Sequence, residues 1–313
     1  MKRSQNLSRR TFLQTSITTA TAALGATCLT QPVSASPAQA GPWQIGCYTR
    51  VFDRWDYRTG LDAIAEAGYR HVGLMTTKQT ADQKWVLITS ETPIETATRI
   101  GDEVKQRGLS VPSIYADGGG VSRSKSVAEG VGVLKRILDN AQACGAGNLL
   151  MGGINATGEP YDRYYQIIAE CCDYAQTRGI GISVKPHGGS NATGPQCRKA
   201  IDKVNHSNFR IWYDPGNTFY YSEGKLDPVD DVPTVSDVVV GMCIKDYLPP
   251  KNVYVTPGTG RVDFPTVLKK LVAGGFTRGP LVVECVKRDG DLKQTVAEAR
   301  QARLYLEEVI KGL

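Results

Sequence analysis

From Trp43 to the C-terminus, short apolar runs rich in β-branched residues alternate with amphipathic stretches, and this alternation restricts the chain to very few folds. The strand-like runs are Gln44–Thr49, His71–Met75, Ser110–Tyr115, Asn148–Met151, Gly181–Lys185, Arg210–Asp214, Val238–Lys245 and Leu281–Val286. Helical periodicity marks Tyr57–Ala67, Thr92–Arg107, Ser124–Cys144, Asp162–Arg178, Gln196–Val204, Phe264–Ala273 and Asp291–Lys311. Gly68, Gly108, Gly145 and Gly179 stand where helices end, as C-terminal caps do. Only Asp227–Ser236, between the sixth and seventh runs, is short and poorly patterned. Strand–helix units at this spacing make a parallel sheet with right-handed crossovers. Eight of them close a barrel, whereas an open doubly wound sheet would carry a glycine-rich phosphate loop after its first strand. Here that strand runs into Thr49-Arg50-Val51-Phe52 instead. The expectation is a single-domain (β/α)8 barrel over residues 41–313.

Polar residues gather where strands end. Lys185-Pro186-His187-Gly188-Gly189, Asp214-Pro215-Gly216-Asn217, Lys245-Asp246 and Glu284-Cys285 each follow an apolar run. The C-terminal ends of barrel strands are where such enzymes place their chemistry. Side chains alternate along a strand, so Lys185 shares a face with Ser183 and Lys245 with Cys243. Gly118-Gly119-Gly120 and Gly152-Gly153 fall on the same end, as tight turns or as points of close approach to a ligand.

Residues 1–40 read as a leader rather than as part of the fold. Ser8-Arg9-Arg10-Thr11-Phe12-Leu13 pairs two arginines with apolar residues, a mildly apolar stretch follows from Ile17 to Leu29, and Ala38-Gln39-Ala40 offers a small-residue cleavage site. That is the pattern of a twin-arginine export signal, with a cut after Ala35 as second choice and Cys28 a poor lipoprotein site after Thr27. The apolar stretch is too short and Thr-rich to span a bilayer, so no stable membrane insertion is expected after processing. The implied partner is the export machinery and the implied location periplasmic or secreted. Lys2, Arg3, Arg9 and Arg10 account for most of the formal charge of +6, so the mature chain sits near +2 and gives no reason to expect a nucleic acid. Of eight cysteines, Cys28 lies in the leader and an odd number remains, several in apolar patterns. Mostly free thiols are expected.

The sequence resembles the xylose-isomerase-like barrels, among them sugar isomerases and epimerases, inosose dehydratases and relatives of endonuclease IV. The resemblance rests on Lys185-Pro186-His187-Gly188-Gly189, Tyr213-Asp214-Pro215-Gly216-Asn217, Ile244-Lys245-Asp246, Gly258-Thr259-Gly260-Arg261-Val262-Asp263-Phe264 and Val283-Glu284-Cys285, in that order. It implies a divalent metal held by Glu, Asp, His and Glu from strands five to eight. Asp214 and Glu284 match the strand-six and strand-eight positions. Lys185 stands at the strand-five Glu position and Cys243 at the strand-seven His position, so both departures fall among the metal ligands. An ammonium between two carboxylates relieves their repulsion as a metal does. Alternatively, Cys243 and His187 complete a site with Asp214 and Glu284 for Mn, Mg, Zn or Co.

The reading that follows assigns catalysis to Lys185, His187, Lys245 and Glu284, and substrate contacts to Trp212, Asn217, Tyr220 and Asp246. His206 reads as a surface-loop residue and His71 as packing. Trp212, Tyr213, Phe219, Tyr220 and Tyr221 suit stacking on sugar rings or, equally, core and rim packing. The resemblance implies proton abstraction beside a carbonyl: isomerisation, epimerisation or β-elimination on a free or oxidised sugar. Phosphorylated sugars are scarce outside the cytoplasm. The alternatives are a carbohydrate-binding barrel that has lost its metal, a structural ion-pair network, and a DNA-repair enzyme. The last is disfavoured by three histidines, low charge and export.

Overall fold

A computed structural model describes residues 43–78, 84–116 and 120–313. The leader and Gly118-Gly119 lie outside the described residues. Residues Trp43 to Leu313 belong to one compact unit, built on β1 (Trp43–Tyr48), β2 (His71–Leu74), β3 (Ser110–Tyr115), β4 (Asn148–Met151), β5 (Gly181–Val184), β6 (Phe209–Tyr213), β7 (Val239–Ile244) and β8 (Gly279–Val283). These eight parallel strands close on themselves, each paired with its sequence neighbours and β1 with β8. The chain is a (β/α)8 barrel. Helices α1 (Tyr57–Glu66), α2 (Ile94–Gln106), α3 (Val127–Ala143), α4 (Glu159–Gln176), α5 (Gly194–Val204), α6 (Pro215–Tyr221), α7 (Pro228–Asp231), α8 (Phe264–Ala273) and α9 (Leu292–Lys311) lie between and after the strands.

The caps read from sequence form as expected. Gly68, Gly108, Gly145 and Gly179 all take positive φ, a conformation that costs a glycine nothing. Three elements went unanticipated. The first is a hairpin of Thr76–Lys78 against Lys84–Val86, whose strands are only three residues long. The second is α6, seven residues directly after β6. The third is α7, one turn within the poorly patterned segment.

Two packed layers hold the barrel. Helix faces such as Leu61 and Ile64 of α1 are fully buried against the strands, each contributing about 1.5–3 kcal/mol. Inside the barrel, Tyr48, Met75, Leu150, Trp212, Cys243 and Val282 form a separate plug. Glycines make room for its rings: a Cβ at Gly73 would lie 2.1 Å from Tyr48, and one at Gly241 would lie 2.4 Å from Trp212. The plug is the floor on which the polar residues of the strand ends rest. Cys47, Cys144, Cys171, Cys172, Cys197, Cys243 and Cys285 are all free and buried.

Candidate active site

Four charged side chains meet above the plug. Lys185 leaves the end of β5, Asp214 the end of β6, Lys245 the end of β7 and Glu284 the end of β8. Lys185 Nζ donates to Glu284 Oε2 at 2.7 Å and to Asp214 Oδ2 at 3.3 Å. Lys245 Nζ lies 2.7 Å from Glu284 Oε1 and 2.9 Å from Asp214 Oδ2. The result is a closed ring of alternating charge, and no member is more than 3 % exposed.

Local structure fixes each corner. Asp214 caps α6, its Oδ1 accepting the Asn217 N–H at 3.0 Å, which leaves Oδ2 for the ammoniums. Asn217 then bridges: its Oδ1 accepts from Lys245 Nζ at 3.0 Å and its Nδ2 donates to the Pro186 carbonyl at 2.7 Å. Gly216 is needed here, because a Cβ would meet the Lys245 carbonyl oxygen at 2.6 Å. Asn191 ties the Lys185 and Gly152 carbonyls together at 2.8 Å each, and Gly153 leaves room for its amide.

Electrostatics keep Glu284 and the two lysines ionised. Burial alone would raise the Glu284 pKa, but Lys185, Lys245 and Arg50 outweigh it and hold this carboxyl well below the usual carboxylate range. Burial would likewise lower Lys185, yet its negative surroundings push it well up. Burial first, and Glu284 second, raise the Cys243 thiol far above its ordinary value, so it stands as a neutral thiol. The two carboxylates therefore carry the effect on Lys185. Burial opposes charge on Lys245 too, and Asp214 and Glu284 again prevail.

Asp214, Cys243 and Glu284 present one ligand atom each, all within 4.8 Å of one another. Lys185 Nζ sits among these three, 3.8 Å from Cys243 Sγ in addition to its carboxylate contacts. His187 is not a member of the group. It stands on the rim, open to solvent, with its ring 6.4 Å from that of Tyr115 and 5.8 Å from that of Tyr221. Protein packed on its inner side, then the Lys185 and Lys245 charges, push its pKa down to about 3. It is a neutral imidazole.

Two proposed substrate contacts lie elsewhere. Trp212 is 1 % exposed within the plug and lines a cavity of about 550 Å³ at the strands' N-terminal ends, the pole opposite the ring. Alternation along β6 explains this, since the strand's final residue points outward and Trp212 inward. Asp246 is wholly buried, and its carboxylate accepts from the backbone N–H groups of Tyr247, Gly258, Gly260 and Val262 at 2.8–3.0 Å. It fastens the loop after β7. Tyr220 is half-buried, with its ring 5.1 Å from that of Tyr221 and under Lys251 Nζ at 5.7 Å. Tyr221, one position along, lies beside His187 together with Tyr115.

Arg50 was not singled out by sequence. It follows β1 in a short 3₁₀ turn, Thr49–Phe52, and its Nε lies 3.8 Å from Glu284 Oε1. A lone arginine directly after the first strand, where a phosphate loop is missing, was the available signal.

The family model described as xylose isomerase-like TIM barrel matches residues 61–309. The chain belongs to this family. Solved structures of similar fold include a xylose isomerase domain protein from Planctomyces limnophilus, at 19 % identity and a TM-score of 0.65 over 86 % of this chain and 98 % of that one. The D-allulose 3-epimerase of Methylomonas sp. in complex with D-allulose aligns at 17 % identity and TM-score 0.65, covering 85 % and 96 %. D-psicose 3-epimerase from Clostridium cellulolyticum H10 with D-tagatose gives 13 %, 0.66, and coverage of 85 % and 99 %. No curated protein sequence matches.

Proposed function

We propose that this barrel is an enzyme that moves a proton beside the carbonyl of a free or oxidised sugar, using lysines where its family would use a metal. The observation that carries the reading is the position of Lys185 Nζ, within 3.8 Å of Asp214, Cys243 and Glu284, which among the described residues converge as cation ligands would. The donor set does not fit a divalent ion as it stands. Glu284 Oε2 and Asp214 Oδ2 already accept from ammoniums, Lys245 Nζ stands 2.7 Å from Glu284 Oε1, Asp214 Oδ1 accepts from backbone, and Cys243 is a neutral thiol. A second positive charge at that point would meet Lys185 directly.

The lysines supply what an oxyanion needs. A substrate oxygen reaching the ring would accept from Lys185 or Lys245 in a buried place, where such donors act most strongly. Taking a hydrogen bond from an ammonium loosens its hold on Glu284 and returns base strength to that carboxylate. Glu284 is thus the proposed base, with neutral His187 and Tyr221 as rim contacts that orient the sugar, and Asn217 as the group that fixes Lys245. The ring's burial favours the second reading, a carbohydrate-binding barrel whose charges only hold the strands together. The twin-arginine pattern in residues 8–13 supports action outside the cytoplasm.

Solvent deuterium wash-in separates the readings. Aldoses, ketoses and 3-keto-glycosides are incubated with the mature protein in D2O and followed by NMR. The enzyme reading expects exchange α to the carbonyl that is lost in folded Lys185→Met and Glu284→Gln variants. Exchange unchanged in both would remove it. Sugar binding by calorimetry without any exchange would favour the binding barrel.

A further inference from the structure

The ring is electrically balanced, two ammoniums against two carboxylates, but the mouth above it is not. Arg50 adds a third cation to the network, and its guanidinium keeps its charge at any working pH. The 3.8 Å separation from Glu284 is too long for a hydrogen bond. Arg50 Nε is also a buried donor without an acceptor among the described residues. A buried guanidinium N–H of this kind is costly unless something completes it. Its neighbour Arg288 fixes the Arg50 backbone and engages the nearby Asp53. Arg288 donates to the Arg50 carbonyl and to Asp53 Oδ1 at 2.9 Å, while its guanidinium lies 4.2 Å over the Tyr254 ring. Asp53 and Arg288 neutralise one another, so the excess stays with Arg50. Across the mouth, His187 is neutral and Tyr115 and Tyr221 are phenols.

We infer that Arg50 receives a carboxylate of the substrate, so the ligand is a sugar acid such as a uronate or an aldonate. This names the substrate class of the site proposed above and rests on that reading for the chemistry, though not for the binding. A planar guanidinium whose buried Nε–H lacks an acceptor matches a carboxylate in two parallel hydrogen bonds. Charge selects the class further. One uncompensated positive charge is balanced by a monoanion, whereas a phosphate monoester would bring close to two negative charges and leave one unpaired. Bound at Arg50, between β1 and β8, a sugar acid points its remaining carbons across the ring toward His187.

Titration calorimetry on the full protein tests this with matched pairs: D-glucuronate against D-glucose, D-galacturonate against D-galactose, and glucose 6-phosphate as the dianion. Wild type is expected to bind at least one acid roughly tenfold or more tighter than its neutral partner, and tighter than the phosphate. The preference should weaken as salt is raised. Arg50→Met should abolish it while leaving the neutral sugar's affinity within about twofold, and Arg50→Lys should restore part of it. Circular dichroism confirms that the variants fold. Equal affinity for acid and neutral sugar overturns the inference, as does an Arg50→Met protein that keeps the preference or a wild type that binds none of the acids. Acid binding through Arg50 without deuterium exchange would sustain the inference and remove the enzyme reading. Exchange on neutral sugars, indifferent to Arg50→Met, would do the reverse.

Discussion

Lys185 Nζ and Glu284 Oε2 lie 2.7 Å apart although ninety-nine residues separate them in sequence. Barrel closure brings them together, because β5 and β8 present their C-terminal ends to the same mouth. Neither group is more than 1 % exposed, so each exists in ionised form only through the other and through Lys245 and Asp214. Such an arrangement adds little net stability over apolar side chains, but it is costly to break on one side.

The single variants Lys185→Met and Glu284→Gln should therefore each lose about 3–5 kcal/mol, since each strands buried charge. The double variant leaves Lys245 paired with Asp214 and should cost less than the two losses combined, by about 1–3 kcal/mol. Urea denaturation of the four proteins measures the coupling. Additive losses would mean that the contact does not hold in solution.

Asp246 gives a different signature. Two of its backbone donors face Oδ1 and two face Oδ2. Asp246→Asn replaces one oxygen by an NH2 that opposes two N–H groups, a loss of about 2–4 kcal/mol. Thermal unfolding should show it, accompanied by faster proteolysis within residues 247–262. A variant of wild-type stability with weakened sugar binding would restore Asp246 to the substrate contacts.

How much of this was legible beforehand follows from what sets each feature. The eight strands and their glycine-capped helices were readable because periodicity and caps are local. Lys185, Asp214, Lys245 and Glu284 were readable as strand-end residues, and alternation set Lys185 on one face with Ser183 and Lys245 on one face with Cys243. The same alternation, applied to β6, would have placed Trp212 in the plug, since it points opposite to Tyr213. Asp246 could not be placed, because its partners are backbone groups of a loop without periodicity. Arg50 stands in a short turn after β1 rather than at a strand's last residue, so its approach to Glu284 across the β1–β8 pairing was not marked by a strand-end pattern. Helix α6 is too short for an apolar repeat, and its one local mark was Asp214 before Pro215, a capping residue followed by a favoured first position.

Stability should respond to pH at both ends with opposite signs. Glu284 is depressed in the fold, so its contribution is present above the ordinary carboxylate pKa and is lost as pH falls through its lower folded value. Lys185 and Lys245 are raised, so theirs is complete below the ordinary lysine value and is lost as pH climbs through their folded values. His187, lowered to about 3, stays neutral in the fold while the unfolded chain takes up a proton near pH 6.5. Stability should accordingly begin to fall below about pH 6.5, by less than the full ~1.4 kcal/mol per pH unit because the ring is open to water. His187→Asn should flatten that first decline without removing the steeper one at lower pH. His71, lowered by burial, leaves a smaller residue of it. A midpoint of thermal unfolding measured from pH 4 to 11 checks both limbs, and a wild type whose stability is unchanged between pH 6.5 and 4.5 would contradict the histidine assignment.

The position of Lys185 makes metal dependence something that one substitution should create. Wild-type protein purified without chelator should carry far less than one equivalent of Mn, Mg, Zn or Co, and EDTA should leave its unfolding temperature unchanged. Lys185→Glu removes one positive charge and adds one negative charge, a change equal to the charge of a single divalent cation. The new carboxylate joins Asp214 and Glu284, with Cys243 or a water to complete the set. Repulsion among three buried carboxylates, with only Lys245 and Arg50 against them, should leave the metal-free variant less stable than wild type. Mn²⁺ should then restore it: a ligand at one hundred times its dissociation constant contributes about 2.7 kcal/mol to a native state that alone binds it. In a barrel of this size that corresponds to roughly 5–10 °C in unfolding temperature. Differential scanning calorimetry with and without Mn²⁺, alongside elemental analysis, reads both quantities. Stoichiometric metal in the wild-type protein would show that Lys185 does not hold the cation's place. A Lys185→Glu protein indifferent to Mn²⁺ would show that the three carboxylates do not converge as the ring requires.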